Sequence, residues 1–252
     1  MSRAELCGSV AGLAGLMSVA GRAPHPPERI LDALHQVGLV PNRDSVRLGE
    51  CLERLLRRCH WSWEKQNPLG ILNLACGRAP ETVTLVEVLA AYSRSICYTG
   101  VDVRAKALDV ARQRGRGLSR VFGDLMGGEC QSFTTRYAVG DLASPEFVRT
   151  LPGRQGLILI RHQNVGFSMP VWTAIFDLAL ERLDPDGVLV LTSHYDHEHA
   201  VALNVMNALG AECLGVEGMP DPRVIGPGGK AVDRFLAAFR RGGDEVRREL
   251  DE

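Results

Sequence analysis

The sequence predicts an α/β protein: a doubly wound, mostly parallel sheet of seven strands with an antiparallel edge hairpin, preceded by an N-terminal helical extension. Three observations predict it. No strand pattern occurs before Pro68, and the preceding third carries helical periodicity instead. Beyond Pro68, short apolar runs alternate with amphipathic stretches over residues 70–74, 95–102, 137–139, 156–160 and 187–192. Apolar strands separated by helices belong to a parallel sheet covered on both faces. A late pair of candidate strands, near 212–218 and 234–240, lacks an intervening helix and forms the antiparallel edge.

Taken in order, the extension spans 1–68, the sheet domain 69–240, and a charged, frayed tail 241–252. The stretch from Leu6 to Gly21 has no charge but is diluted by four glycines and is too short to span a bilayer. It reads as a small-residue helix packed on the domain, so a cytoplasmic protein without a membrane partner is expected. Pro27 opens a helix carrying Ile30, Leu31, Leu34 and Val37 on one face, with Gly38 as its stop. A second helix from about Asp44 carries Val46, Leu48, Leu52, Leu55 and Leu56, flanked by Arg54, Arg57 and Arg58 and followed by Trp61 and Trp63. A 252-residue chain that is 45% apolar and 23% charged is ordinary for a globular protein. Its net charge of -1 gives no general pull toward nucleic acid. Seven dispersed cysteines without a CxxC pair read as reduced thiols, and no metal is expected on them.

In an open α/β sheet, ligands bind outside the carboxyl ends of the strands. The first run ends in Ala75-Cys76-Gly77-Arg78-Ala79-Pro80, whose small residues allow close backbone approach, and a helix follows near Glu81. The second run ends in Asp102, a carboxylate able to accept both hydroxyls of a ribose. The third offers Asp141, with Asp124 as a rival. The long interval between Asp102 and Asp141 implies an insertion within 115–136. A dinucleotide-binding reading would need G-x-G-x-x-G, which ACGRAP does not supply.

With these residues in order, the chain resembles the class I, Rossmann-like S-adenosylmethionine-dependent methyltransferases. The resemblance rests on ILNLACGRAP (71–80), YTGVDVRAKALDVAR (98–112), YAVGDLAS (137–144), LILIRHQNV (157–165) and LDPDGVLVLTSHY (183–195). It implies S-adenosylmethionine as cofactor, with Asn73, Ala75, Cys76 and Gly77 at its methionine portion. Asp102 and Val103 would meet the ribose, Asp141 and Leu142 the adenine, and Arg161 and His162 the transferable methyl. The chain departs from the family pattern in carrying Asn73 where an acid is usual, and Ala75 and Ala79 where glycines are usual.

The expected activity is therefore methyl transfer to a small-molecule acceptor. Orientation carries much of such a substitution, and a base is needed only where the acceptor must lose a proton. His162 is the first candidate base and His194 the second. Two alternatives stay open: a cofactor-binding but non-catalytic partner subunit, and a methyltransferase acting on RNA or protein. His194 opens the run HYDHEH, whose histidine spacings do not match a zinc helix. No metal is expected there. Asp196 is expected to cap a helix, with His197 and His199 solvated at its start.

Overall fold

The computed structural model describes residues 43–63, 68–93, 95–125, 132–161, 165–220 and 233–242. The helix expected over 28–37, the rest of the first 42 residues and the tail beyond 242 lie outside them. Helix α1 (Arg43–Arg58) opens with Asp44 and closes with Arg57 and Arg58, charges that complement its dipole. Leu48, Cys51, Leu52, Leu55 and Leu56 recur at helical spacing and are fully buried. His60, at φ 51°, ends the helix, and the Trp61 N–H returns to the Leu56 carbonyl.

The strands are β1 (Leu69–Leu74), β2 (Ser95–Asp102), β3 (Ser132–Val139), β4 (Gln155–Ile160), β5 (Leu183–Ser193), β6 (Ala211–Gly218) and β7 (Phe235–Arg241). Between them run α2 (Thr82–Leu89), α3 (Ala105–Leu125), the short α4 (Pro145–Val148), α5 (Met169–Arg182) and α6 (Asp196–Ala208). The sheet order is β3-β2-β1-β4-β5-β7-β6. The first five strands pair in parallel, while β7 runs antiparallel to both β5 and β6. The expected hairpin therefore forms at the sheet's edge, with its second strand turned inward against β5.

Alternation along each central strand divides the core. Ile71, Leu157, Leu159, Val188 and Val190 face a cluster shared with α1 and α2. Leu72, Leu74, Ile158, Ile160, Leu189 and Leu191 face the opposite cluster with α5 and α6. Burial on both faces explains why these strands read as continuous apolar runs. β1 lies between β2 and β4, so its carboxyl end is the switch point where a crevice opens.

Residues 115–125, within the interval read as carrying an insertion, continue α3. Asp124 consequently lies on a helix and not at a strand end. Gly115 permits this packing: a Cβ there would sit 2.8 Å from the Thr135 hydroxyl and 2.9 Å from the Tyr137 ring.

Candidate functional site

The loop after β1 is built on three left-handed residues, Ala75 (φ 54°), Gly77 (φ 56°) and Ala79 (φ 45°). Left-handed backbone costs an L-residue with a Cβ about 1 kcal/mol, so the two alanines hold, under strain, the conformation for which glycine is suited. The loop is stapled to β2: the Cys76 N–H donates to the Val101 carbonyl at 2.9 Å and the Gly77 N–H to Asp102 Oδ2 at 2.7 Å. Burial foremost, with the charges of Glu81 and Asp102 behind it, pushes the Cys76 thiol far above its ordinary range. Burial thus disfavours the Cys76 thiolate.

Asp102 ends β2 and is buried. Its Oδ1 accepts from the Arg104 backbone N–H at 2.8 Å and from Arg104 Nε at 2.9 Å, and its Oδ2 also accepts from an Arg104 terminal nitrogen at 3.2 Å. Burial alone would raise the carboxyl, but the hydrogen bonds from Arg104 and Gly77 outweigh it and hold Asp102 below its ordinary value. Val103 beside it is 60% exposed, an apolar side chain presented at the rim. The Gly140 N–H donates to the Asp102 carbonyl at 3.2 Å and so ties the ends of β2 and β3 together. Just beyond, Asp141 is exposed and Leu142 buried, with Asp141 Oδ1 accepting from the Ala143 N–H at 2.9 Å. Asp102, Val103, Asp141 and Leu142 therefore share one corner of the sheet's carboxyl edge.

A second group, buried throughout, crosses the same edge toward β7. Asn73 donates through Nδ2 to Glu81 Oε1 at 2.6 Å and to the Tyr98 hydroxyl at 2.8 Å. Both amide hydrogens are thereby used, and Asn73 Oδ1 is a buried acceptor without a hydrogen-bond partner among the described residues. Arg161, at the end of β4, donates to Glu81 Oε2 at 3.0 Å and to Asp233 Oδ2 through Nε at 2.8 Å. Its third nitrogen also reaches Asp233 Oδ2 at 2.6 Å. Thr192 of β5 donates to Asp233 Oδ1 at 2.7 Å, and Arg47 of α1 to the Asp233 carbonyl at 3.3 Å. Glu81, Tyr98 and Asp233 were not singled out from the sequence. The retrospective signal is an acid eight residues after Asn73, at the start of the following helix.

His162 lies outside the described residues. His194, just beyond β5, is buried, with its ring 6.3 Å from that of Tyr195. The histidine run divides differently from expectation. His197 is exposed and stacks on Tyr195, but His199 is buried, 4.6 Å from the Phe235 ring, with Nδ1 3.3 Å from the Ser193 hydroxyl. The helix begins at Asp196, with Tyr195 at its cap position, so the third residue onward from Asp196 turns back to the sheet. Burial lowers the His199 pKa, against a smaller upward pull from Asp196. Asp196 itself makes no cap and pairs with Arg234 at 3.1 Å.

The tryptophans pack at the opposite, amino edge. Trp61 Nε1 donates to the Asp186 carbonyl at 2.9 Å and its ring lies 4.8 Å from Tyr92, while Trp63 sits over Gly156 at the start of β4. Arg54 and Arg58 both pair with Glu217 of β6, and Arg57 with Glu53. These three arginines are thus engaged within the fold.

The arrangement offers a turned backbone with an adjacent helix start, a carboxylate able to meet vicinal hydroxyls, and an apolar rim beside it. A Cβ at Gly77 would lie 2.9 Å from Arg104 and 3.9 Å from Asp102 Oδ2, so the loop's bare face is directed at that carboxylate. Such a cradle fits a nucleoside-bearing cofactor. Solved methyltransferases share this fold. Among solved structures, the chain is similar to an S-adenosylmethionine-dependent methyltransferase from Clostridium acetobutylicum, with a TM-score of 0.53, 11% identity, and coverage of 78% of this chain and 92% of that one. It is also similar to precorrin-6y C5,15-methyltransferase from Geobacter metallireducens, with a TM-score of 0.51, 14% identity, and coverage of 81% and 90%. No family model matches the sequence, and no curated protein matches it significantly. No helix among the described residues is long and apolar enough to cross a membrane.

Proposed function

We propose that the protein is an S-adenosylmethionine-dependent methyltransferase acting on a small-molecule acceptor. The observation that carries this reading is Asp102, held at the end of β2 against the left-handed 75–79 loop at the sheet's switch point. When bound, S-adenosylmethionine supplies a methyl group on a positively charged sulfur, from which an acceptor lone pair takes it while the breaking bond's electrons return to sulfur. The chain's own residues bind and orient. Asp102 would accept from the ribose hydroxyls with Val103 beside it, and Asp141 and Leu142 would border the adenine. Ala75, Cys76 and Gly77 let the methionine portion approach backbone, with Asn73 beneath them. Arg161 acts as a buried brace beneath the acceptor side, where its guanidinium already serves Glu81 and Asp233. His162 or His194 takes a proton where the acceptor has one to lose.

The near-neutral charge supports a small acceptor over nucleic acid. Calorimetry with S-adenosylmethionine and its demethylated product tests the reading. Binding at micromolar concentration is expected, and Asp102→Ala should weaken it at least about a hundredfold, the loss of two charge-assisted hydrogen bonds. Absence of binding by either compound to the wild type would sink the assignment. Binding without turnover over a broad acceptor panel would favour a non-catalytic partner subunit.

A further inference from the structure

A carboxylate has about four acceptor positions on its two oxygens. Asp102 already receives four hydrogen bonds, from the Gly77 N–H, the Arg104 N–H, and Nε and a terminal nitrogen of the Arg104 guanidinium. The two backbone donors are fixed by the loop and by the turn into α3. The two guanidinium donors are not: the Arg104 side chain is 67% exposed, whereas the Asp102 side chain is 3% exposed. The same guanidinium lies 2.9 Å from where a Gly77 Cβ would be. One exposed side chain therefore covers both features through which the loop could meet a ligand: the Asp102 lone pairs that no backbone N–H takes and the bare face of Gly77.

We infer that Arg104 fills the ribose position of the cofactor site with its own guanidinium and must be displaced by any ligand that enters there, so that it sets the affinity of the site. The inference rests on the nucleoside-cofactor reading above. The guanidinium fork and a vicinal diol make the same demand on Asp102, two donors side by side, so the exchange conserves hydrogen bonds. It is also inexpensive, because an ion pair with an exposed partner is weak. A ligand with no donor pair must displace Arg104 without replacing its bonds and is rejected, since the buried carboxylate would be left short of donors. Arg104 thus weakens every ligand at this position by the same displacement cost.

The test is calorimetry with S-adenosylhomocysteine and with its 2′,3′-dideoxy analogue on the full chain, comparing wild type with Arg104→Ala and Arg104→Met. Alanine removes both the donors and the cover over Gly77, whereas methionine removes only the donors. Both variants keep the backbone N–H on Asp102, and unchanged melting temperatures would show that they fold. The expected result is about two- to fivefold tighter binding of S-adenosylhomocysteine to both variants, the worth of one exposed ion pair. The preference for the ribose form over the dideoxy form should be the same in all three proteins, because the displacement cost is common to both ligands. Binding by the variants where the wild type shows none would support the inference as well. Unchanged or weaker binding in both variants, with the wild type still binding, would overturn it and leave the cofactor reading intact. No binding by any of the three proteins would overturn the cofactor reading, and this inference with it.

Discussion

Two arginine–carboxylate pairs stand at the carboxyl edge of the same sheet and behave as opposites. Arg104 reaches Asp102 from solvent, with most of its side chain exposed. Arg161 is enclosed, its side chain 7% exposed, and it serves both Glu81 and Asp233. The chemistry of each pair is nearly identical, but the surroundings differ. An exposed guanidinium can leave at little cost, because it is rehydrated and Asp102 keeps its two backbone donors. In a buried setting it cannot, because the carboxylates it leaves behind have no water to turn to. The exposed pair suits a position that a ligand must take over. The enclosed pair suits a brace that holds β1, β4, α2 and the start of β7 in one geometry beneath that position.

The largest test of this contrast is Arg161→Met, which keeps volume and removes charge. It should cost about 3–5 kcal/mol of stability, the usual result of stripping one partner from a buried pair, measured by urea unfolding. Arg104→Met in the same assay should change stability by less than about 1 kcal/mol. Equal losses in the two variants would erase the distinction.

Glu87 sharpens it from another side. It sits six residues after Glu81 on α2 and has no arginine: its Oε2 is out of solvent without a hydrogen-bond partner among the described residues. Burial raises its pKa to about 8. A carboxyl whose folded-state pKa lies above its unfolded value contributes stability that is full at low pH and is lost as pH rises toward 8. Because the residue as a whole is partly exposed, the effect is smaller than full burial would give. Glu87→Gln should match the wild type near pH 5 and exceed it by about 2 kcal/mol at pH 9, read from denaturant midpoints across that range. Parallel pH curves for the two proteins would show that Glu87 has a partner after all.

The smallest effect concerns the loop between the two pairs. Ala75→Gly should stabilise the protein by about 0.5–1 kcal/mol, because glycine relieves the left-handed backbone at a partly exposed position. Ala79→Gly should be close to neutral, since its methyl is buried with Leu108 and Ala111 and its loss offsets the relief. Thermal melts of the two variants compare them directly. Destabilisation by Ala75→Gly would mean that the methyl, and not the backbone, matters there.

Much of the edge was legible in the chain. Asp102 stood out because it ends an apolar run, and the residues from Ala75 to Pro80 did because small residues follow another. Asn73 was legible as a departure, but not its consequence: its amide is turned toward Glu81, eight residues on, and toward Tyr98, one strand over. The histidine run shows the same limit. Its residue types were plain, yet which ring turns inward followed from where α6 begins, and Asp196 proved to be inside the helix and not its cap. Likewise the sequence did not show that Gly115 serves the close contact of α3 with β3.

By itself, the sequence determined the strands, the alternation that buries them on both faces, and the carboxylates and small residues at their ends. Those features are local: a period of two, a helical period, and a residue type at a run's end need no knowledge of what lies across the sheet. Only the tertiary structure decided that β7 inserts between β5 and β6 and that Arg161 meets partners 80 residues before it and 72 after it. It also decided that Arg104 closes on Asp102 while Arg161 is sealed in. The physical reason is that the strength and exchangeability of a charge pair depend on burial, and burial is set by register and crossover order, which no stretch of chain carries alone.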